Sequence, residues 1–437
     1  MADSLRLMAH GLRLTADGLR LSPRRLHVAT LAVVAVLTLA ATGCQLGPTA
    51  LKISHTQYNQ ALQQTSAEQL LLNLVRLRYG ESPVFLEVGS VSAQFVFDQG
   101  GDLTGTLNEN IGAQRGNPDV LRIGGNIGYT ERPTITYSPL SGDEFVQRLL
   151  SPIGLDNLVL LTHSGWRMDR VLRLVVQEMS TLENARTASG PTPAISPDYQ
   201  PFAQAARLLR SLQANKQVEL GYKTVTETLS DPIPAKLITA DALVEAAKVG
   251  NRFRSTAGGK SFVLTRKTRR LVLRLPTGHG AAKEAQAVRK LLKLRADQTE
   301  YDVIPAGTST AHRLREQSQR QSLVIDTRSL LGVMFYLSQG VDIPPTHRRS
   351  GLVTITIKNT GEPFDWSGVL DHLFSVSSQI MPPKHAAIAV RHRGYWFYIK
   401  DTDQNAKSTF ALLGQLFTLQ AGSAQSTPLV LTLPVGG

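Results

Sequence analysis

Cys44 is the single thiol of the 437-residue chain, and it follows Val28–Ala41, a run that is apolar except at Thr30 and Thr38. A thiolate is a strong nucleophile, so a cysteine there can accept a lipid; with no second cysteine there is no internal disulfide. Elsewhere, residue types that carry catalysis fail the spacing catalysis needs. Gly259-Lys260-Ser261 has the end of a phosphate-binding loop, but that loop requires a glycine where Arg254 stands. The glycine-rich stretch 123–128 lacks the dinucleotide-binding spacing and reads as turns. His163-Ser164-Gly165 has no Gly-x-Ser-x-Gly elbow around its serine. None of the ten histidines belongs to a His-Glu-x-x-His pair. Asp371 and His372 are neighbours on an expected helix and would point about 100° apart. No catalytic residue, metal ligand or cofactor is identifiable.

The basic residues are the other candidates. Arg167, Arg170 and Arg173 stand three apart on an expected helix, a spacing at which guanidinium groups clamp phosphate or carboxylate. Arg266, Lys267, Arg269 and Arg270 cluster on an expected strand; Arg289, Lys290 and Lys293 follow on a helix. These are the candidate anion-binding residues, set against the plainer reading of solvated faces paired with local acids. Residues 252–349 carry 19 basic and 7 acidic residues. Such a segment attracts anions without specifying them.

The N-terminus narrows the choice. Arg6, Arg13, Arg20, Arg24 and Arg25 precede the apolar run, whose 14 residues fall short of the ~20 that span a bilayer and match a signal-peptide core. Small residues, Ala41-Thr42-Gly43, then lead to the cysteine. This stretch resembles the lipobox of bacterial lipoproteins, with Ala41 where that family usually has leucine. The resemblance implies removal of residues 1–43 and lipid on the Cys44 sulfur and amino end. Gln45, where aspartate usually means inner-membrane retention, implies the outer membrane with the protein facing the periplasm. Export argues against nucleic acid and leaves anionic lipid, lipopolysaccharide, an acidic polysaccharide or an envelope protein as partners.

The elements that must position these residues read as mixed. Ser54 and Gln57 fit a capping box opening a helix to about Tyr79, with Ala67, Leu70, Leu71, Leu74 and Leu77 on its stripe. Residues 84–137 are β-rich, and Val91, Ala93, Phe95 and Phe97 alternate with Ser90, Ser92 and Gln94. Ser141 and Glu144 suggest a second capping box, and a helix follows Trp166. The proline-rich stretch 185–198 reads as a linker. Beyond it come helices near 200–214 and 239–249, a strand with Leu271, Leu273 and Leu275 opposite Arg270 and Arg274, and a helix over 281–295. The last part gives a helix at 328–339, a strand at 352–358, a helix with Trp366, a hairpin turning at 391–394, a helix with Phe410 and a closing strand at 428–434. The class is α+β, with mixed helices and antiparallel sheets in two or three domains: signal peptide 1–43, lipidated tether 44–53, an N-terminal domain 54–184, linker 185–198, a basic region 199–320 and a C-terminal domain 321–437.

The segments "EQLLLNLVRLRYGESPVFLEV", "RPTITYSPLSGDEFVQRLL", "TRSLLGVMFYLSQGV" and "KSTFALLGQLFTLQ" together resemble an uncharacterised family of bacterial lipoproteins, which implies a compartment and no activity. The expected function is a lipid-anchored cell-envelope protein with a structural or binding role. The alternative is a protomer of an oligomeric outer-membrane channel or export assembly, its strands in 84–137 joining those of other copies. Intact-mass measurement of native material should find a chain starting at an acylated Cys44. An unmodified residue 44 with its leader attached overturns that expectation.

Overall fold

The computed structural model describes residues 46–106, 120–140, 142–256, 258–277, 283–307 and 321–421. Cys44, the expected leader, Ser141, Ala257 and the expected closing strand lie outside the described residues. The chain divides into two compact units, Met1–Ser66 and Ala67–Gly437. The described part of the first is the helical stretch 46–66; the second is α+β.

Helix α1 (Leu46–Arg78) leads to strands β1 (Leu86–Thr106) and β2 (Val120–Pro139), which pair antiparallel with each other and with no other strand among the described residues. Helices α2 (Asp143–Leu150), α3 (Leu155–His163) and α4 (Met168–Val175) follow, and α4 runs straight into β3 (Val176–Met179), then β4 (Leu182–Glu183). Next come α5 (Gln200–Ala214), β5 (Glu219–Thr228), β6 (Ile233–Pro234), α6 (Ala240–Lys248), β7 (Asn251–Ser255) and the long β8 (Ser261–Arg274). Then follow α7 (Lys283–Leu292), β9 (Glu300–Pro305), β10 (Ser322–Thr327) and α8 (Leu330–Ser338). The remaining elements are α9 (Pro345–Arg349), α10 (Ser367–Leu370), β11 (Ser377–Gln379), β12 (Ala386–His392), β13 (Tyr395–Lys400) and α11 (Gln404–Ala421).

The central sheet has the order β4-β3-β10-β9-β8-β5, with β6 and β7 also on β8. Its one parallel pair among the described residues is β9 with β10. A smaller antiparallel sheet has the order β11-β13-β12. Helix α5 buries Phe202, Ala205, Ala206, Leu209 and Leu212, a one-face spacing, and packs beside α7, which buries Ala285, Val288 and Leu292. Leu271 and Leu273 of β8 and Tyr301 and Val303 of β9 join the same core. The expected hairpin turn joins β12 to β13 at Arg393 (φ 46°) and Gly394 (φ 86°), and Gly258 (φ 91°) and Gly259 (φ 69°) lie between β7 and β8.

Several expectations give way to tertiary context. Helix α1 runs through Ser54 without stopping to be capped. Helix α2 begins at Gly142 with no side-chain cap. Helix α3 was missed because "LDNLVLLTH" has too little polar contrast to show a period. The glycine-rich stretch 123–128 is strand within β2, facing the equally glycine-rich 99–102 of β1. Residues 352–358 form no strand, since their backbone groups go to loops: Ile357 N–H donates to Ala194 C=O (3.0 Å), and Thr354 C=O accepts from Arg78 (3.0 Å). The 185–198 segment is no spacer between cores. It is packed into the larger unit, with Ala185 and Ala188 fully buried and Ile195 bridged to Ile357.

Arg328, just past β10, is 1% exposed and has no ion pair among the described residues. Its guanidinium donates to the carbonyls of Arg173 (3.2 Å), Leu174 (3.1 Å), Val176 (2.8 Å) and Asn184, and to Ser189 Oγ (3.1 Å). The Tyr336 ring lies 4.0 Å from its central carbon. Two of those carbonyls end α4, where a helix has unsatisfied acceptors and negative potential. Burial pushes the Arg328 pKa down to about 10, which still leaves it charged at neutral pH. Arg328→Met keeps much of the stem but strands these buried acceptors. At ~1–3 kcal/mol for each unsatisfied group, chemical denaturation should show a loss of at least ~3 kcal/mol.

Candidate functional site

The expected arginine ladder does not form an anion clamp. Arg167 makes two bonds to Asp169 (2.8 and 3.1 Å). Arg170 is buried and donates to Asn405 Oδ1 (2.8 Å). Arg173 donates to the carbonyls of Val369 and Asp371, both at 2.9 Å, tying α4 to the end of α10. Arg289 is buried as well, donating to the Tyr301 hydroxyl (2.8 Å) and the carbonyls of Leu275, Pro276 and Gln298. A guanidinium carries five donors in a fixed fork, so Arg173 and Arg289 are brackets for backbone, while Arg167 and Arg170 are taken up by the Asp169 and Asn405 side chains. Lys290 and Lys293 are exposed.

Strand β8 sorts its cations by face, because alternate residues of a strand point to opposite sides. On the side of the even-numbered residues, Arg270 pairs with Glu227 (2.6 Å) and Asp302 (3.5 Å). Arg274 pairs with Glu219 and Glu300, both at 3.0 Å, and Lys223 pairs with Glu300 (2.6 Å). Arg266 donates to Asn251 Oδ1 (2.7 Å). The Lys223 and Arg274 bonds hold the Glu300 carboxyl below its usual range. On the other side the register brings Lys267 opposite Thr226, Arg269 opposite Thr224, Arg252 opposite Thr265 and Arg254 opposite Val263. These four cations are exposed, and none has an ion pair among the described residues. Arg269 lies over the Tyr222 ring at 4.8 Å. Arg266, Lys267, Arg269 and Arg270 are thus split between two faces. Arg252 and Arg254 join the free face through strand pairing, which spacing along the chain does not reveal.

The β1–β2 hairpin is fixed to α1 by side chains that mimic a strand partner. Asn73 accepts from Val84 N–H (3.0 Å) and donates to Val84 C=O (2.7 Å). Gln69, one turn earlier, bonds Leu86 N–H and C=O in the same way once its amide is oriented to satisfy both. Leu140 N–H closes the root on Phe85 C=O (2.9 Å), and the Phe85 ring packs on Phe145 and Phe417.

Beyond the end of α1 lies a half-buried polar corner around the buried Tyr79. The Tyr79 hydroxyl is 2.6 Å from His347 Nδ1, and His392 and Arg393 both meet Glu81 Oε1 (3.2 and 2.7 Å). Burial raises the Tyr79 pKa to about 12, so the phenol keeps its proton at neutral pH. A cavity of about 820 Å³ lies nearby, lined by groups of both signs that include Arg78, Arg348, Asp342, Asp371, Lys400 and Asp403. It gathers no group of three metal-binding side chains among the described residues. His163 and Ser164 are spent on the carbonyls of Leu220 (2.8 Å) and Leu160 (2.7 Å), which leaves no triad there. Asp371 and His372 are both exposed and 3.4 Å apart.

Burial lowers the pKa of His347 and of His392 from the ordinary 6.5, Glu81 offsetting part of the effect at His392. Below pH 6.5 the unfolded chain therefore binds protons that the folded one refuses, and stability falls with pH. Thermal midpoints measured from pH 7.5 down to 5.5 should decline. The H347N/H392N double variant should flatten that decline. No protein-family model, curated protein or solved structure matches this chain.

Proposed function

We propose that this chain is a lipid-anchored protomer of an oligomeric β-barrel of the bacterial outer membrane, a channel or export assembly to which each copy contributes the β1–β2 hairpin. The carrying observation is the hairpin's register. Val91 pairs with Ile135, Ala93 with Pro133, Phe97 with Tyr129 and Leu103 with Ile123, so these positions share one face. Ser90 with Thr136, Ser92 with Thr134, Gln94 with Arg132 and Thr104 with Arg122 share the other, together with Asp98 and Asp102. Glu131, opposite Phe95, is the one charged position on the apolar face between Ser90 and Thr136 among the described residues. An apolar outer face and a polar inner face are what a transmembrane barrel strand requires.

Length and edges support the same reading. A spanning strand needs ~9–11 residues, and β1 and β2 have 21 and 20. Two-stranded ribbons are marginal alone, and their bare edges invite pairing that closure into a barrel removes. Further copies of the same chain supply edges of matching length and pattern. No helix among the described residues is long and apolar enough to cross a membrane, and the lipobox-like stretch at Cys44 supplies the expected anchor. The plainer reading, an anchored structural or binding protein, leaves the two-faced register without a use.

Detergent-extracted protein should run as a discrete oligomer by native mass spectrometry and give unitary conductance in planar bilayers. Phe97→Arg, midway along β1, places a charge on the apolar face, which costs ~2–4 kcal/mol at the bilayer midplane, and should abolish both signals. Ser92→Arg, on the opposite face, should keep the oligomer and change the conductance. A monodisperse, non-conducting monomer from the unaltered chain sinks the proposal.

A further inference from the structure

We infer that the free cationic face of β7, β8 and β5 is a phosphate-binding surface that holds the protein against anionic phospholipid headgroups. The observation is the segregation of charge across one strand. Every acid that bonds β8's cations, Glu219, Glu227, Glu300 and Asp302, falls on the even-numbered side by strand register. The other side holds Arg252, Arg254, Lys267 and Arg269 with exposed Thr224 and Thr226 and no acid from β5, β7 or β8. Alternate residues of a strand lie ~7 Å apart and neighbouring strands ~4.8 Å apart, so four cations share one flat patch. Arginine forks and threonine hydroxyls are donors suited to phosphate oxygens.

A patch of this kind attracts any polyanion. Exposed apolar side chains on the segment that packs against β7 select lipid. Leu237, Val244 and Val249 are 64%, 54% and 61% exposed and belong to the segment that leads into β7. On α6, Ala240, Leu243, Val244 and Ala247 follow the i, i+3, i+4, i+7 spacing of a single helix face, and all are exposed. A polysaccharide or nucleic acid gains nothing from exposed aliphatic side chains, whereas the headgroup boundary of a bilayer buries them. The inference does not depend on barrel assembly, because β5 to β8 belong to the central sheet and not to the hairpin.

The test is flotation of the full chain carrying Cys44→Ser with vesicles of pure phosphatidylcholine, and with vesicles containing 30% phosphatidylglycerol (a ~30% anionic surface). The anion-dependent gain in binding is the readout. Each basic residue at such a surface adds about fivefold, so replacing Arg252, Arg254, Lys267 and Arg269 with Gln should cut the gain by roughly several hundredfold. A control with Lys216, Lys290, Lys293 and Lys384 replaced by Gln removes the same charge elsewhere and should keep most of the gain. Far-UV circular dichroism checks that both variants fold. Equal losses in the two variants reduce the effect to net charge and overturn the inference. So does undiminished binding to dextran sulfate with no gain on anionic vesicles, which would mark a polysaccharide surface. Conductance of the four-residue variant, unchanged from the parent, separates failure here from failure of the barrel.

Discussion

A buried guanidinium that holds carbonyls in place of a carboxylate is the contact on which this fold turns. Arg328 gathers the end of α4, the start of β3 and the chain at Asn184 onto the start of α8. Taking a charge out of water is expensive unless its donors are satisfied. Carbonyls at a helix C-terminus satisfy them with oxygen lone pairs and an aligned dipole. Asp169 in the first turn of the same helix complements the opposite pole. The device recurs: Arg289 binds three carbonyls, Arg173 two, and Arg78 the carbonyl of Thr354 and the hydroxyl of Thr192. Arginines that partner backbone need no matching acid. Part of the chain's excess of basic residues is therefore structural and faces no ligand.

The remaining excess is sorted by the pleat of β8. Its even-numbered side is a network of exposed ion pairs, each worth little in water, and its other side keeps its charge. Strand geometry alone makes the separation, so one 14-residue strand carries both a neutralised face and a cationic one. The hairpin shows the same economy. Its two faces differ because both strands alternate and the register brings like to like, and α1 mounts it through two amides one helical turn apart. That spacing of about 6 Å along a helix matches the rise of two strand residues, which is why Gln69 and Asn73 can serve Val84 and Leu86 together.

Much of the element pattern was legible. The stripe Leu70–Leu77 announced its helix, helices stand where they were expected near 200–214 and over 281–295, and the hairpin turn falls at 391–394. What failed did so for local reasons. Residues 352–358 look like a strand but give their backbone groups to loops, and the segment 155–163 has too little apolar–polar contrast to show a helical period. The proline-rich 185–198 has linker composition but packs because Ala185 and Ala188 are small enough to be enclosed and Ala194 offers its carbonyl to Ile357. Among the candidate basic residues, the chain gave the cluster and not the allegiance. Arg269 and Arg270 are neighbours in sequence and belong to opposite sides, and Arg252 was not singled out because its companions come from another strand.

The sequence by itself determined the α+β class, the alternation in 84–106 and the lipobox-like context of Cys44, because period and residue type are local properties. Tertiary structure alone decided which arginines are brackets and which are free. It also decided that the two arms of the hairpin agree on one apolar face. Both depend on which backbone lies across from a side chain, and that is fixed by register and packing between segments far apart in the chain.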